Sequence, residues 1–147
     1  MTDRDYMEQA YAHACKAYNK NEVPVGAIIV RNGEVIATGQ NNREETGDAT
    51  GHAETLAIRR ACEKLGTWRL DDCELYVTLE PCPMCMGAII NSRINRVVFG
   101  AKDAKAGACG SVINLNNYPF NHKPDIVSGV MSEECQEILS NFFSNKR

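Results

Sequence analysis

Two short segments of the 147-residue chain carry residue types that could work together: His52-Ala53-Glu54 and Pro81-Cys82-Pro83-Met84-Cys85. A Cys-x-x-Cys pair at a helix start points both sulfurs toward one spot. The helix N-terminus and a metal cation both favour the thiolate, the form that binds metal. His52 offers a neutral imidazole nitrogen as a third ligand. Soft sulfur plus nitrogen suits Zn²⁺. Three protein ligands leave the fourth tetrahedral position to water, which marks a catalytic zinc rather than a structural one. A structural site would want a fourth ligand at similar spacing, and Cys62, Cys73 and Cys109 form no second close pair.

Zinc lowers the pKa of bound water from about 15.7 toward about 7, producing hydroxide at neutral pH. Glu54, two residues after His52, can take and return its protons. One zinc hydroxide and one shuttling acid are what hydrolytic deamination of an amidine-like ring requires. Hydroxide adds to the ring carbon bearing the amino group; Glu54 protonates a ring nitrogen and then helps ammonia leave. A Cys-x-x-Cys pair alone would equally suit a redox pair, structural zinc or buried thiols. The joint order His, Glu, Pro, Cys, Cys, with helix starts at both ends, argues against those plainer readings.

Those helix starts belong to a legible series of elements. Thr2 and Asp5 resemble a capping box, and Met7, Ala10, Ala14, Ala17 and Tyr18 recur at helical spacing. Val25–Val30 reads as a buried strand, Asn32-Gly33 as a hairpin turn, and residues 34–38 as its antiparallel partner. Residues 40–51 read as a polar loop. A helix is predicted from His52 to Leu65, stopping before Gly66. A strand follows at 75–78, then a helix after Pro83 to Asn91, then a strand at 97–99 and a Gly-rich loop at 106–111. Ser132 is the predicted cap of a last helix whose apolar stripe is Cys135, Ile138, Leu139, Phe142 and Phe143. Strands alternating with helices imply an α/β fold, a three-layer α/β/α sandwich. The leading hairpin makes its central sheet mixed.

Composition agrees with one domain over residues 1–147. Hydrophobic residues are 44% and charged residues 24%, which excludes disordered, collagen-like and supercharged chains. The longest apolar stretch, near Val23–Val30, is far too short to span a membrane. No signal peptide is evident, and the seven cysteines are an odd number, so reduced thiols in the cytoplasm are expected. The net charge of −3 is uneven: residues 91–123 carry +4, leaving −7 for the rest. Such a basic segment is either a phosphate-facing surface or a solvated face with scattered lysines.

The His-x-Glu and Pro-Cys-x-x-Cys order matches the known signature of zinc nucleobase deaminases. More specifically, residues 77–89 (VTLEPCPMCMGAI) resemble the core of bacterial tRNA adenosine deaminases within the cytidine deaminase-like superfamily. Residues 92–101 (SRINRVVFGA), Asp103, Lys105, Gly107, Gly110-Ser111 and the early 22–27 segment (EVPVGA) resemble the same family, so the likeness covers nearly the whole chain. The resemblance implies conversion of adenosine to inosine at the wobble position of a tRNA anticodon, by a homodimer whose two subunits both contact RNA. It implies one Zn²⁺ per subunit on His52, Cys82 and Cys85, with Glu54 as proton shuttle. Asn41 corresponds to the residue that hydrogen-bonds the flipped nucleoside. Asp103 and Lys105 match a stretch bordering the RNA loop, and Asn121 and His122 a loop that reaches neighbouring anticodon bases. A stacked ring is out of reach of a buried metal site, so the base must be extruded, which costs least in a single-stranded loop. Two positions depart from the family pattern: Gly51 stands where Ala usually precedes the His, and Ala49 where Pro is frequent. The alternatives are a small-molecule deaminase of the same fold, acting on guanine, cytosine or a nucleoside, and a non-catalytic zinc scaffold that binds RNA. An intact Glu54 argues against the scaffold.

Overall fold

The computed structural model of the chain describes residues 1–145. Helix α1 (Asp3–Asn19) starts on the predicted capping box: Thr2 Oγ1 accepts from the Asp5 amide, and Asp5 accepts from the Thr2 amide. The hairpin of β1 (Gly26–Arg31) and β2 (Glu34–Gln40) turns at Asn32-Gly33, both at positive φ. Further along come α2 (Arg43–Thr46), α3 (Ala53–Leu65), β3 (Cys73–Leu79), α4 (Pro83–Ser92) and β4 (Arg96–Ala101). A 3₁₀ turn (Leu115–Asn117), β5 (Asp125–Val127) and α5 (Ser132–Ser144) complete the chain.

The strands form one sheet in the order β2-β1-β3-β4-β5. β1 runs antiparallel to both β2 and β3, whereas β3, β4 and β5 are parallel, so the sheet is mixed. Helices α1 and α5 pack on one face and touch each other; α3 packs on β2 and β1 and touches α4. This is the α/β architecture expected from the element order. Ile28, Ile29, Leu75, Val77, Val97, Val98 and Phe99 are buried in the sheet between these helices. Burying that much apolar surface, at roughly 25 cal/mol per Å², is what holds the layers together. Parallel strands place their C-terminal ends on one edge, and β3 ends there just before α4 and its Cys82 and Cys85.

Four details differ from what the sequence predicts. The 40–51 loop contains the single-turn helix α2, which polar composition hid. β5 was not anticipated: it is three residues long, at the sheet edge and only partly buried, so no run of apolar residues marks it. Ser132 is the first residue of α5 and not its cap; Met131, buried and left-handed at φ 60°, takes that position without a side-chain cap. Phe143 also leaves the predicted stripe. One residue further around the helix than the buried Phe142, it is 54% exposed.

Candidate active site

Two helix N-termini meet at the site. His52 is the N-cap of α3 and Cys82 the N-cap of α4, and neither caps its helix through a side-chain oxygen. Both side chains are therefore free to point inward. For α3 the cap comes from elsewhere: Asn41 Oδ1 accepts from the Ala53 amide at 3.0 Å. For α4, Pro83 occupies the first turn, where a missing N–H leaves nothing unpaired. Cys85 lies one turn into that helix and is fully buried.

The His52 Nδ1 atom lies 3.6 Å from Cys82 Sγ and 3.3 Å from Cys85 Sγ. All three ligand atoms fall within 4.8 Å of one another. Tetrahedral zinc with ordinary bond lengths sets an N and an S ligand about 3.6 Å apart, close to both N–S distances here, so the triad suits that ion. Without metal the two thiols shift in opposite directions. A hydrogen bond from the Cys85 thiol, with further help from His52 and the Cys85 amide, draws Cys82 down to about 4 against the effect of burial. The same contact with Cys82, and then burial, raises Cys85. A bound cation would take the place of the Cys85 thiol proton, and the helix N-termini favour the thiolates that hold it.

Glu54 sits in the first turn of α3, 4% exposed and beside this triad. Burial pushes its carboxyl up to about 7, with its own backbone amide and His52 pulling the other way. An acid held there can both take and give a proton near neutral pH.

His52, Cys82 and Glu54 open onto a cleft of about 700 Å³, with Cys85 buried behind them. Asn41 and Arg43 line one side, Lys102–Ala106 another, and Leu139, Ser140 and Phe143 of α5 a third. The sequence-predicted residues Asn41, Asp103 and Lys105 thus belong to one cavity with His52, Glu54 and Cys82. Asn41 commits its Oδ1 to α3, leaving its amide nitrogen for a ligand. Asp103 Oδ1 accepts from the Lys105 and Ala106 amides, forming the turn of its own loop. Asn121 and His122 do not line the cleft; the His122 ring is 2.6 Å from the Ile94 carbonyl oxygen.

Two further buried carboxylates organise the cleft walls, and the sequence reading assigned neither a role. Glu22 accepts from the Glu44 and Glu45 amides and so caps α2 next to Arg43. Glu80, 2% exposed, accepts from the amides of Asp103, Cys109 and Ser111 and from the Ser111 hydroxyl. Burial opposes its ionisation, but these four donors outweigh it and hold the carboxyl below the ordinary range. The signal was present: each is a glutamate beside an apolar strand segment, where a charge must be satisfied. At Gly51, a Cβ would fall 2.4 Å from Asn42 Oδ1, so the alanine of the family pattern would require the Asn42 side chain to move. The basic 91–123 segment is partly spent on structure, because Arg96 pairs with Asp3 and Glu74. Of its cations, Lys102 and Lys105 line the cleft.

The fold and this site define a deaminase, and the chain matches the MafB19-like deaminase family over residues 1–147. It is 52% identical over 146 residues to the tRNA-specific adenosine deaminase of Bacillus subtilis (strain 168), covering 99% of this chain and 91% of that one. A solved structure from a study of A-to-I editing by tRNA:A34 deaminases at the wobble position superimposes with a TM-score of 0.90. It shares 46% identity and covers 92% of this chain and 99% of its own. A guanine deaminase from Bacillus subtilis is more distant, at 34% identity and a TM-score of 0.68, covering 99% of this chain and 94% of that one. The chain belongs to the tRNA-specific adenosine deaminase family.

Proposed function

We propose that this chain is one catalytic domain that deaminates the wobble adenosine of a tRNA anticodon to inosine. The observation that carries the reading is the His52-Cys82-Cys85 triad beside buried Glu54, at the floor of a cleft walled by Asn41, Asp103 and Lys105. Zinc, when bound by the triad, supplies an activated water for attack at C6. With the metal in place, Glu54 would move two protons: the first from the attacking water to N1 of the ring, the second from the new C6 hydroxyl to the departing 6-amino group. The C6–O bond forms, the C6–N bond breaks, and ammonia leaves. Asn41 orients the flipped nucleoside through its amide nitrogen. Lys102 and Lys105 neutralise backbone phosphates, and Asp103 keeps their loop folded. Phe143, exposed on the cleft wall, offers a stacking face to a base flanking the target.

Asn121 and His122 contact anticodon bases outside the cleft. Homodimerisation is supported by exposed apolar side chains on the 112–120 segment (Val112, Ile113, Tyr118 and Phe120), with Met84 on the adjoining α4. No helix among the described residues is long and apolar enough to cross a membrane. The reaction is assigned to the cytoplasm with its tRNA substrate.

One assay tests the reading. Zinc-loaded protein is incubated in parallel with transcribed tRNA, free adenosine and free guanine, and deaminated product is measured. Inosine formed only in tRNA supports it; turnover of guanine or free adenosine alone replaces it with a small-molecule deaminase. The metal assignment is checked in Cys82→Ser, where full zinc occupancy would contradict it.

A further inference from the structure

Glu80 is a buried carboxylate at the end of β3, two residues before Cys82. The ion pairs among the described residues do not include it; three backbone amides and one hydroxyl satisfy it instead. All four donors lie in the irregular segment 103–111. Asp103 donates to Oε1 at 3.0 Å, and Cys109 and Ser111 donate to Oε2 at 2.9 and 3.1 Å. Two backbone bonds frame the same junction, from the Glu80 amide to the Ala101 carbonyl and from the Ala108 amide to the Pro81 carbonyl. Gly107 closes over the carboxylate so tightly that a Cβ there would lie 2.4 Å from its carboxyl carbon. The first part of this segment, Asp103 to Ala106, is a wall of the cleft. A loop without helix or strand pairing has few ways to satisfy its amides away from water. Here Glu80 takes the amides of Asp103, Cys109 and Ser111, and it is covalently joined to Cys82 through Pro81.

We propose that Glu80 is a positioning residue. Its carboxylate locks the 103–111 segment, and with it Asp103 and Lys105, in register with Cys82, so that substrate wall and metal ligands form one rigid unit. The inference deepens the RNA-deaminase reading and rests on it for the substrate.

Glu80→Gln tests it with little change of shape, because the new amide group must face at least one N–H donor whichever way it turns. The zinc-loaded variant is compared with the parent protein by steady-state kinetics on a tRNA transcript, metal analysis, and hydrogen exchange of the 102–111 amides. Zinc stays at one per chain, KM rises about tenfold while kcat falls less than about threefold, and the Cys109 and Ser111 amides exchange at least about tenfold faster. Gly107→Ala, with Glu80 intact, raises KM in the same way, and the double variant adds less than the two separate effects combined. Should Glu80→Gln fail to fold, Ser111→Ala removes only the hydroxyl donor and is expected to raise KM about threefold. An unchanged KM, a fall in kcat alone, or loss of zinc would each overturn the proposal. Exchange protection and zinc content need no substrate. A parent protein inactive on tRNA therefore defeats the RNA reading, whereas unaltered exchange in Glu80→Gln defeats the positioning role.

Discussion

Glu54 and Glu80 are the same residue type, each almost fully buried, and both lie at the edge of one cleft. Their ionisation moves in opposite directions. Burial carries the Glu54 carboxyl up to about 7, whereas Glu80 is held below its ordinary value by four donors. Burial alone cannot account for both. The number of hydrogen-bond donors facing the carboxylate decides which form is favoured. A carboxylate saturated with amides is a fixed acceptor that organises backbone. One with few donors keeps an exchangeable proton, which a reaction can use.

Substitution should separate the two roles. The largest effect is expected at Glu54: Glu54→Gln lowers turnover on tRNA by about 10²–10⁴-fold, with zinc content unchanged. Loss of zinc in that variant would make Glu54 a ligand and end the contrast. Next comes stability. Glu80→Ala strips the acceptor from four buried donors and should cost about 3–5 kcal/mol in urea unfolding of the zinc-loaded protein. Glu54→Ala should cost far less, and equal losses would show that the donors at Glu80 contribute nothing special.

The contrast also has a pH signature in the metal-free protein. A raised carboxyl means the folded state holds a proton that the unfolded chain releases, so Glu54 makes stability fall as pH rises from about 4.5 to about 7. Glu80, depressed, contributes stability that is complete above its unfolded value near 4.5 and is lost as pH falls through its folded one. Glu54→Gln should therefore stabilise the metal-free protein near pH 8 by about 1–3 kcal/mol, measured by denaturant titration, and have little effect near pH 4. The smallest effect is at the wall that Glu80 holds. Lys105→Ala should weaken RNA binding a few-fold and reduce the salt slope by about 1. A binding curve and salt slope unchanged from the parent would remove Lys105 from the RNA contact surface.

Much of the site could be read from the chain because its chemistry is local. Cys82, Pro83 and Cys85 share one helix start, His52 and Glu54 another, and both starts fall where the residue pattern predicts. Asn41 was legible only through family resemblance; the structure adds that it caps α3. That Glu80 needs partners is legible from its apolar neighbours, but which partners is not, since they lie 23 to 31 residues downstream in a loop with no periodicity. Helical spacing predicts Phe143 in the core because it cannot distinguish adjacent phenylalanines near the edge of a stripe. The structure turns Phe142 inward against Tyr18 and leaves Phe143 on the cleft.

The sequence by itself determined the ligand types, the acid beside them, the helices that carry them and the mixed sheet beneath. Each of these follows from side-chain chemistry or from a pattern repeating over a few residues. Only the tertiary structure decided that two helix N-termini face each other at the distances a tetrahedral ion needs. It alone decided which buried glutamate keeps a mobile proton and which ties down a loop. The physical reason is that a carboxyl's protonation depends on the donors that surround it in space, and those arrive from segments that only folding brings together.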